Sequence, residues 1–71
     1  MYLGWFDDNG KKAAQTKIEE AIAAYVERFG TAPNIVLVNR DEDAPATVQG
    51  VAVRVEKYIR RNNFWVGRTE E

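Results

Sequence analysis

Residues 11–38 read KKAAQTKIEEAIAAYVERFGTAPNIVLV, and this stretch decides the fold. Between Lys11 and Phe29 apolar residues recur at helical spacing. Ile18, Ala21, Ile22, Tyr25 and Phe29 form one stripe, with Ala14 a turn earlier and Val26 beside it. Lys12, Glu19, Glu20 and Glu27 fall on the opposite side. The stop is well marked: Arg28 sits in the last turn, Gly30 suits the left-handed position after it, and Pro33 blocks continuation. Two starts compete. Asp7, Asp8 or Asn9 would cap a helix beginning near Lys11, whereas Thr16 and Glu19 have capping-box spacing for a later one. Residues 11–15 hold two alanines and no helix breaker, which favours the earlier start.

After the helix, Ile35-Val36-Leu37-Val38 is a continuous apolar run, the pattern of a strand buried on both faces. Before it, Tyr2-Leu3-Gly4-Trp5-Phe6 is aromatic-rich and is stopped by the turn residues Asp7-Asp8-Asn9-Gly10. Alternation puts Tyr2, Gly4 and Phe6 on one face and Leu3 and Trp5 on the other, so both faces are apolar. That points to an inner strand, or to an edge covered by a partner. Strand, helix and buried strand in succession make a βαβ unit with the first two strands parallel and a right-handed crossover.

Further along, Asn39 to Gly50 is polar, contains Pro45 and reads as a loop, with a short helical turn near Ala46 to Gln49. Val51 to Glu56 alternates, with Val51, Val53 and Val55 inward and Arg54 and Glu56 outward. Lys57 to Asn63 fits either an extension of that strand or a basic loop, and Asn62-Asn63 has turn chemistry. Phe64-Trp65-Val66 closes the pattern, followed by a tail expected to fray from Gly67 to Glu71. The expected fold is therefore α/β (α+β), a small two-layer sandwich of order β-α-β-β-β. One amphipathic helix near 11–29 lies on a mixed sheet of three or four strands near 2–6, 35–39, 51–56 and 63–67. The whole chain, residues 1–71, forms one small domain. The expected core is Ile18, Ile22, Tyr25, Phe29, Ile35, Leu37, Val51, Val53, Val55 and Phe64, with one or both of Val36 and Val38.

Composition narrows the function classes. The 71 residues contain no cysteine and no histidine, which removes disulfides, thiol chemistry, thiolate metal sites and the usual general base. A domain of this length buries only about 60% of the surface its unfolded chain exposes, so packing or self-association must supply its stability. The net charge of −1 indicates neither a nucleic-acid nor a membrane partner. Nothing near Met1 resembles a signal peptide, and no stretch approaches the roughly 20 apolar residues that span a bilayer, so the cytoplasm is the default address. No bound cofactor is called for.

Three surfaces compete for function. Asp7 and Asp8 follow one strand and Asn39, Asp41, Glu42 and Asp43 follow the other; at the carboxyl ends of parallel strands such a cluster would suit Mg²⁺ and a metal-dependent enzyme. The same residues serve equally as turns, a helix cap and a solvated loop. Arg54, Lys57, Arg60, Arg61 and Arg68, interleaved with Tyr58, Phe64 and Trp65, would suit a small nucleic-acid-binding domain, with Arg54, Lys57, Arg60, Arg61 and Trp65 as contacts. The plain alternative is that Phe64 or Trp65 closes the core while the cations stay solvated. Third, one helix covers one face of the sheet, which leaves aromatic residues on the other face. Leu3, Trp5, Arg54, Tyr58 and Trp65 are the candidate interface, unless the loop from Asn39 to Gly50 folds over them. Gly4, inside an aromatic strand, marks a close approach or a bulge. The reading preferred from sequence is a non-catalytic interaction module, self-associating as a homodimer or binding another protein through its helix-free face.

Overall fold

A continuous apolar strand needs cover on both faces, and Ile35–Val38 has it: all four residues are buried. The computed structural model describes residues 2–69. In chain order it contains β1 (Tyr2–Phe6), α1 (Ala14–Phe29), β2 (Ile35–Val38), β3 (Thr47–Val48), β4 (Val51–Val55) and β5 (Asn63–Gly67). The class is the expected one, a small α+β domain with a helix on one face of a mixed sheet. The sheet has five strands, in the order β1-β5-β2-β4-β3, instead of three or four.

The first two strands run in the same direction but are not neighbours. β5 lies between them, antiparallel to both, with Leu3 opposite Val66 and Val66 opposite Val36. The βαβ unit is thus split by the last strand of the chain. The hydrogen-bonded parallel pair is β2 with β4, in which Val36 faces Val53 and Leu37 faces Arg54. Period-two alternation specifies which face a residue takes and carries no information about which strand sits beside it. That is why the insertion of β5 could not be read from the sequence.

β3, the fifth strand, replaces the helical turn expected near Ala46 to Gln49. It forms a tight hairpin with β4, with Val48 opposite Val51. Gln49 and Gly50 both have positive φ, the signature of a two-residue type I′ turn matched to strand twist. Gly50 adopts this at no steric cost.

The helix-side core joins Ile18, Ala21, Ile22 and Tyr25 to Val36, Val38, Val48, Val51, Phe64 and Val66, with Leu3, Trp5, Phe29, Ala44 and Val53 packed against it. Three expected core residues are less enclosed, Val53 being half-buried. Phe29 is half-buried at the last helical turn, its ring tilted 4.6 Å from that of Tyr25. Val55 points to the helix side but is 55% exposed, since β4 runs past the helix. Ile35 and Leu37 are buried as expected, but on the opposite face, where Ile59 covers them.

The helix starts at Ala14, not near Lys11, and neither expected cap is used: the N-cap is Ala13, in extended conformation, with no side-chain hydrogen bond. Asp7 and Asn9 satisfy their own turn instead, Asp7 Oδ1 accepting the Asn9 N–H at 2.9 Å and Asn9 Oδ1 the Lys11 N–H at 2.9 Å. Thr16 lies inside the first turn, too late to cap it. The stop matches the reading, with Gly30 at φ 72° donating its N–H to the Val26 carbonyl at 2.8 Å. The tail is tied down further than expected: Gly67 closes β5 and the Thr69 N–H donates to Asn34 Oδ1 at 2.9 Å. The part of the expected frayed tail at residues 70–71 lies outside the described residues.

Because no acid occupies the first helical turn and Ala13 is exposed, Ala13→Asp places both an acceptor and a negative charge where α1 lacks them. Urea unfolding should show a gain of about 1 kcal/mol, and Ala13→Ser a smaller gain of the same sign. No gain from either would show that the first-turn N–H groups are satisfied otherwise.

Candidate functional site

The helix-free face is built by the alternation of four strands. Tyr2, Gly4 and Phe6 of β1 lie on it, with Trp65 and Gly67 of β5, Ile35 and Leu37 of β2, and Ala52 and Arg54 of β4, aligned in cross-strand rows. Leu3 and Trp5 do not: they point to the helix side and join its core. Of the five residues read from sequence as the interface, the structure brings Arg54, Tyr58 and Trp65 to the helix-free side and removes Leu3 and Trp5. Tyr2 and Phe6, missed in that set, take their place. Their signal was present in the same alternation, which assigned them to the opposite face from Trp5 without saying which face the helix would cover.

Trp5 illustrates the difference between the two indoles. Its Nε1 is out of contact with solvent and has no hydrogen-bond partner among the described residues, a cost of about 1–3 kcal/mol for a desolvated donor. Trp65 remains 41% exposed, alongside Tyr2 at 39%, Phe6 at 63% and Tyr58 at 69%.

Two glycines hold this aromatic surface flat. Gly4 faces Trp65 across β1 and β5, and a Cβ at position 4 would lie 3.3 Å from the indole Cη2. Gly67 faces Tyr2, and a Cβ there would fall inside the Tyr2 ring. Each glycine is the floor on which the opposing aromatic lies, so Gly4 marks a close approach and not a bulge.

The loop that on the alternative reading would cover this face does not. Within 39–50, Ala44 and Val48 pack on the helix side. The cover comes from residues 56–62, which drop Ile59 onto Ile35 and Leu37. Of the two expectations for this segment the basic loop is the one found, and hydrogen bonds pin it. The Glu56 N–H donates to the Val38 carbonyl at 3.0 Å, Asn39 Nδ2 to the Ile59 carbonyl at 2.7 Å, and the Asn62 N–H to Glu42 Oε2 at 2.9 Å. Asn62 takes the left-handed conformation at φ 67°, which asparagine tolerates better than most residues, and turns the chain into β5. Beside Ile59 lies a shallow groove of about 460 Å³ lined by Tyr2, Leu37, Tyr58, Ile59 and Trp65.

The cations fall around this groove. Arg54 is opposite Leu37 and approaches Glu56 at 3.7 Å. Lys57, Arg60 and Arg61 are exposed on the segment that carries Tyr58 and Ile59, and among the described residues their side chains make no ion pair.

The acidic loops do not converge. Among the described residues no three carboxylates gather where a metal ion would be held. Asp7 is occupied by its turn and by Lys12 Nζ at 3.6 Å, and Lys12 also bonds Glu20 at 2.8 Å. Donation from the Asn9 N–H, aided by Lys12 and Lys17, holds the Asp7 carboxyl below its ordinary pKa; Glu20 raises that of Lys12. Glu42 is spent on the Asn62 N–H. No helix among the described residues is long and apolar enough to cross a membrane. Comparison with known protein families, characterised proteins and solved structures yields no match.

Gly67→Ala should cost about 1–3 kcal/mol in urea unfolding, because the added methyl displaces the Tyr2 ring. In that background Tyr2→Ala should cost less than it does alone, which a double-mutant cycle reads directly. Additive losses would mean that the two positions do not share the space.

Proposed function

We propose that this chain is a non-catalytic interaction module that self-associates through its helix-free face. One observation supports the reading above the others: Tyr2, Tyr58 and Trp65 leave exposed rings around an open groove, with Phe6 exposed on the same face, on a sheet whose other face the helix covers. Large rings left in water are costly, and aromatic residues with arginine are the types enriched where proteins meet.

The two tryptophans allow a direct test. Trp5→Phe deletes the unpartnered indole N–H while keeping an aromatic ring in the core, so Trp65 becomes the sole tryptophan in a folded chain. Sedimentation equilibrium in the micromolar range should give an average mass above the monomer's 8.1 kDa. Over the same concentrations Trp65 emission should shift to the blue and its acrylamide quenching should fall. A chain that stays monomeric at several hundred micromolar would remove self-association, and a dimer with unchanged Trp65 would move it off this face.

A second reading rests on a separate observation, the unpaired cations Lys57, Arg60 and Arg61 on the segment that also presents Tyr58 beside Trp65. Cations to hold phosphates beside rings on which bases stack are the working parts of a single-strand binder. On this reading oligo(dT) binds at low ionic strength, with a log K against log salt slope that becomes shallower by about 0.7 per cation when Arg60→Ala or Arg61→Ala is introduced. Absence of binding at low ionic strength would eliminate it.

A further inference from the structure

We infer that the partner in self-association is a second copy of this chain, paired edge to edge along β1, antiparallel, with Gly4 on the two-fold axis. This rests on the self-association part of that reading and assigns the contact to the β1 edge that borders the helix-free face.

Among the described residues β1 ends the sheet, and one side of its backbone pairs with no other strand. Which groups point outward follows from one hydrogen bond. The Asp7 N–H donates to the Asn62 carbonyl at 2.9 Å, and Asp7–Asn62 continues the register in which Leu3 faces Val66 and Trp5 faces Phe64. In an antiparallel ladder alternate residues exchange bonds with the same neighbour. Leu3, Trp5 and Asp7 therefore turn their N–H and C=O groups to β5, and Tyr2, Gly4 and Phe6 turn theirs to the open edge.

This edge lacks the usual guards. Tyr2-Leu3-Gly4-Trp5-Phe6 carries no charge, no proline and no bulge, whereas the opposite edge, β3, is only two residues long. A flat apolar edge of this kind is a template for another strand. The strand that fits it best is its own copy. About a two-fold axis at Gly4, Tyr2 pairs with the partner's Phe6, Phe6 with the partner's Tyr2, and Gly4 with the partner's Gly4. All three outward residues meet outward residues, so each pair exchanges both backbone bonds. The same register sets Tyr2 beside the partner's Phe6 on the helix-free face, covering the most exposed ring of that strand. On the helix face it sets Leu3 beside the partner's Trp5. The absence of a side chain at Gly4 leaves room at the crossing. The acidic turns that begin at Asp7 fall at opposite ends of the seam, about 20 Å apart, so their like charges do not meet.

Two experiments on the full chain decide it. First, a chemically synthesised chain with N-methylglycine at position 4 loses one outward N–H while every bond to β5 is kept. Below the dimer dissociation concentration it should retain the circular dichroism and melting temperature of the parent monomer, and its dimer dissociation constant should rise at least tenfold. Second, the chain has no cysteine, so Tyr2→Cys and Phe6→Cys chains report the register. Paired residues lie about 5.5 Å apart, and a mixture of the two variants should cross-link with a short bifunctional thiol-reactive reagent, a bis-methanethiosulfonate whose two sulfinate groups leave as the two mixed disulfides form. Either variant alone should not, since its thiols would be separated by about 14 Å. Should N-methylation unfold the chain, the cross-linking decides alone. Equal cross-linking in mixed and unmixed samples, or an unaffected N-methyl dimer, overturns edge pairing and leaves the self-association reading standing. A monomeric parent chain overturns both.

Discussion

The constraint on which the rest of this structure depends is that its central strand must be covered twice while the chain supplies one helix. Val36 and Val38 go under α1, with Ile18, Ile22 and Tyr25. Ile35 and Leu37 face the other way, and their cover is a single side chain, Ile59. Burial of an aliphatic side chain of this size contributes about 1.5–3 kcal/mol, and in a domain this short that is a large share of the net stability. The hydrogen bonds around residues 56–62 hold Ile59 on the sheet. Asn39 and Glu42, which reach that segment from the far side of β2, serve as its anchors.

The aromatic surface follows from how small that lid is. Ile59 seals the region over Ile35 and Leu37 and stops there. The neighbouring strands β5 and β1 present Trp65, Tyr2 and Phe6 with no second layer above them, and Tyr58, the residue before the lid, stands 69% exposed at the groove wall. One helix plus one isoleucine closes most of one face and a small part of the other. Three of the acidic residues, meanwhile, are absorbed by local structure: Asp7 by its turn, Glu20 by Lys12, Glu42 by Asn62.

Much of this was legible in sequence because period and composition report directly on burial. The helical stripe from Ile18 to Phe29, the stop at Gly30 and the doubly buried run at 35–38 each have one physical reading, and the structure has them all. Three features were hidden, each for its own reason. Strand adjacency is not encoded in alternation, so the insertion of β5 between β1 and β2 was invisible. Asp7 and Asn9 had two comparable uses, helix cap or Asx turn, and the local turn won, leaving α1 without a side-chain cap. Finally, the choice of face for Leu3 and Trp5 against Tyr2 and Phe6 needed the position of the helix. The alternation was right, but its sign was undetermined.

Gly4 and Gly67 bear on whether the aromatic face is a remnant of incomplete packing or a built surface. Glycine within a strand costs roughly 0.5–1 kcal/mol against alanine, and this chain carries two on one face in a fold with little stability to lose. Neither has positive φ, so neither is required by the backbone. The rings opposite them account for both to different degrees: a Cβ at Gly67 would overlap the Tyr2 ring, whereas one at Gly4 would lie 3.3 Å from the Trp65 indole, a tight contact. Seating two rings flat fixes their orientation before any partner arrives, which lowers the ordering cost of binding. Rings exposed merely for want of a second layer would need no such floor. The glycine pair therefore supports a surface organised for contact, and it stands next to the one long unguarded edge of the sheet.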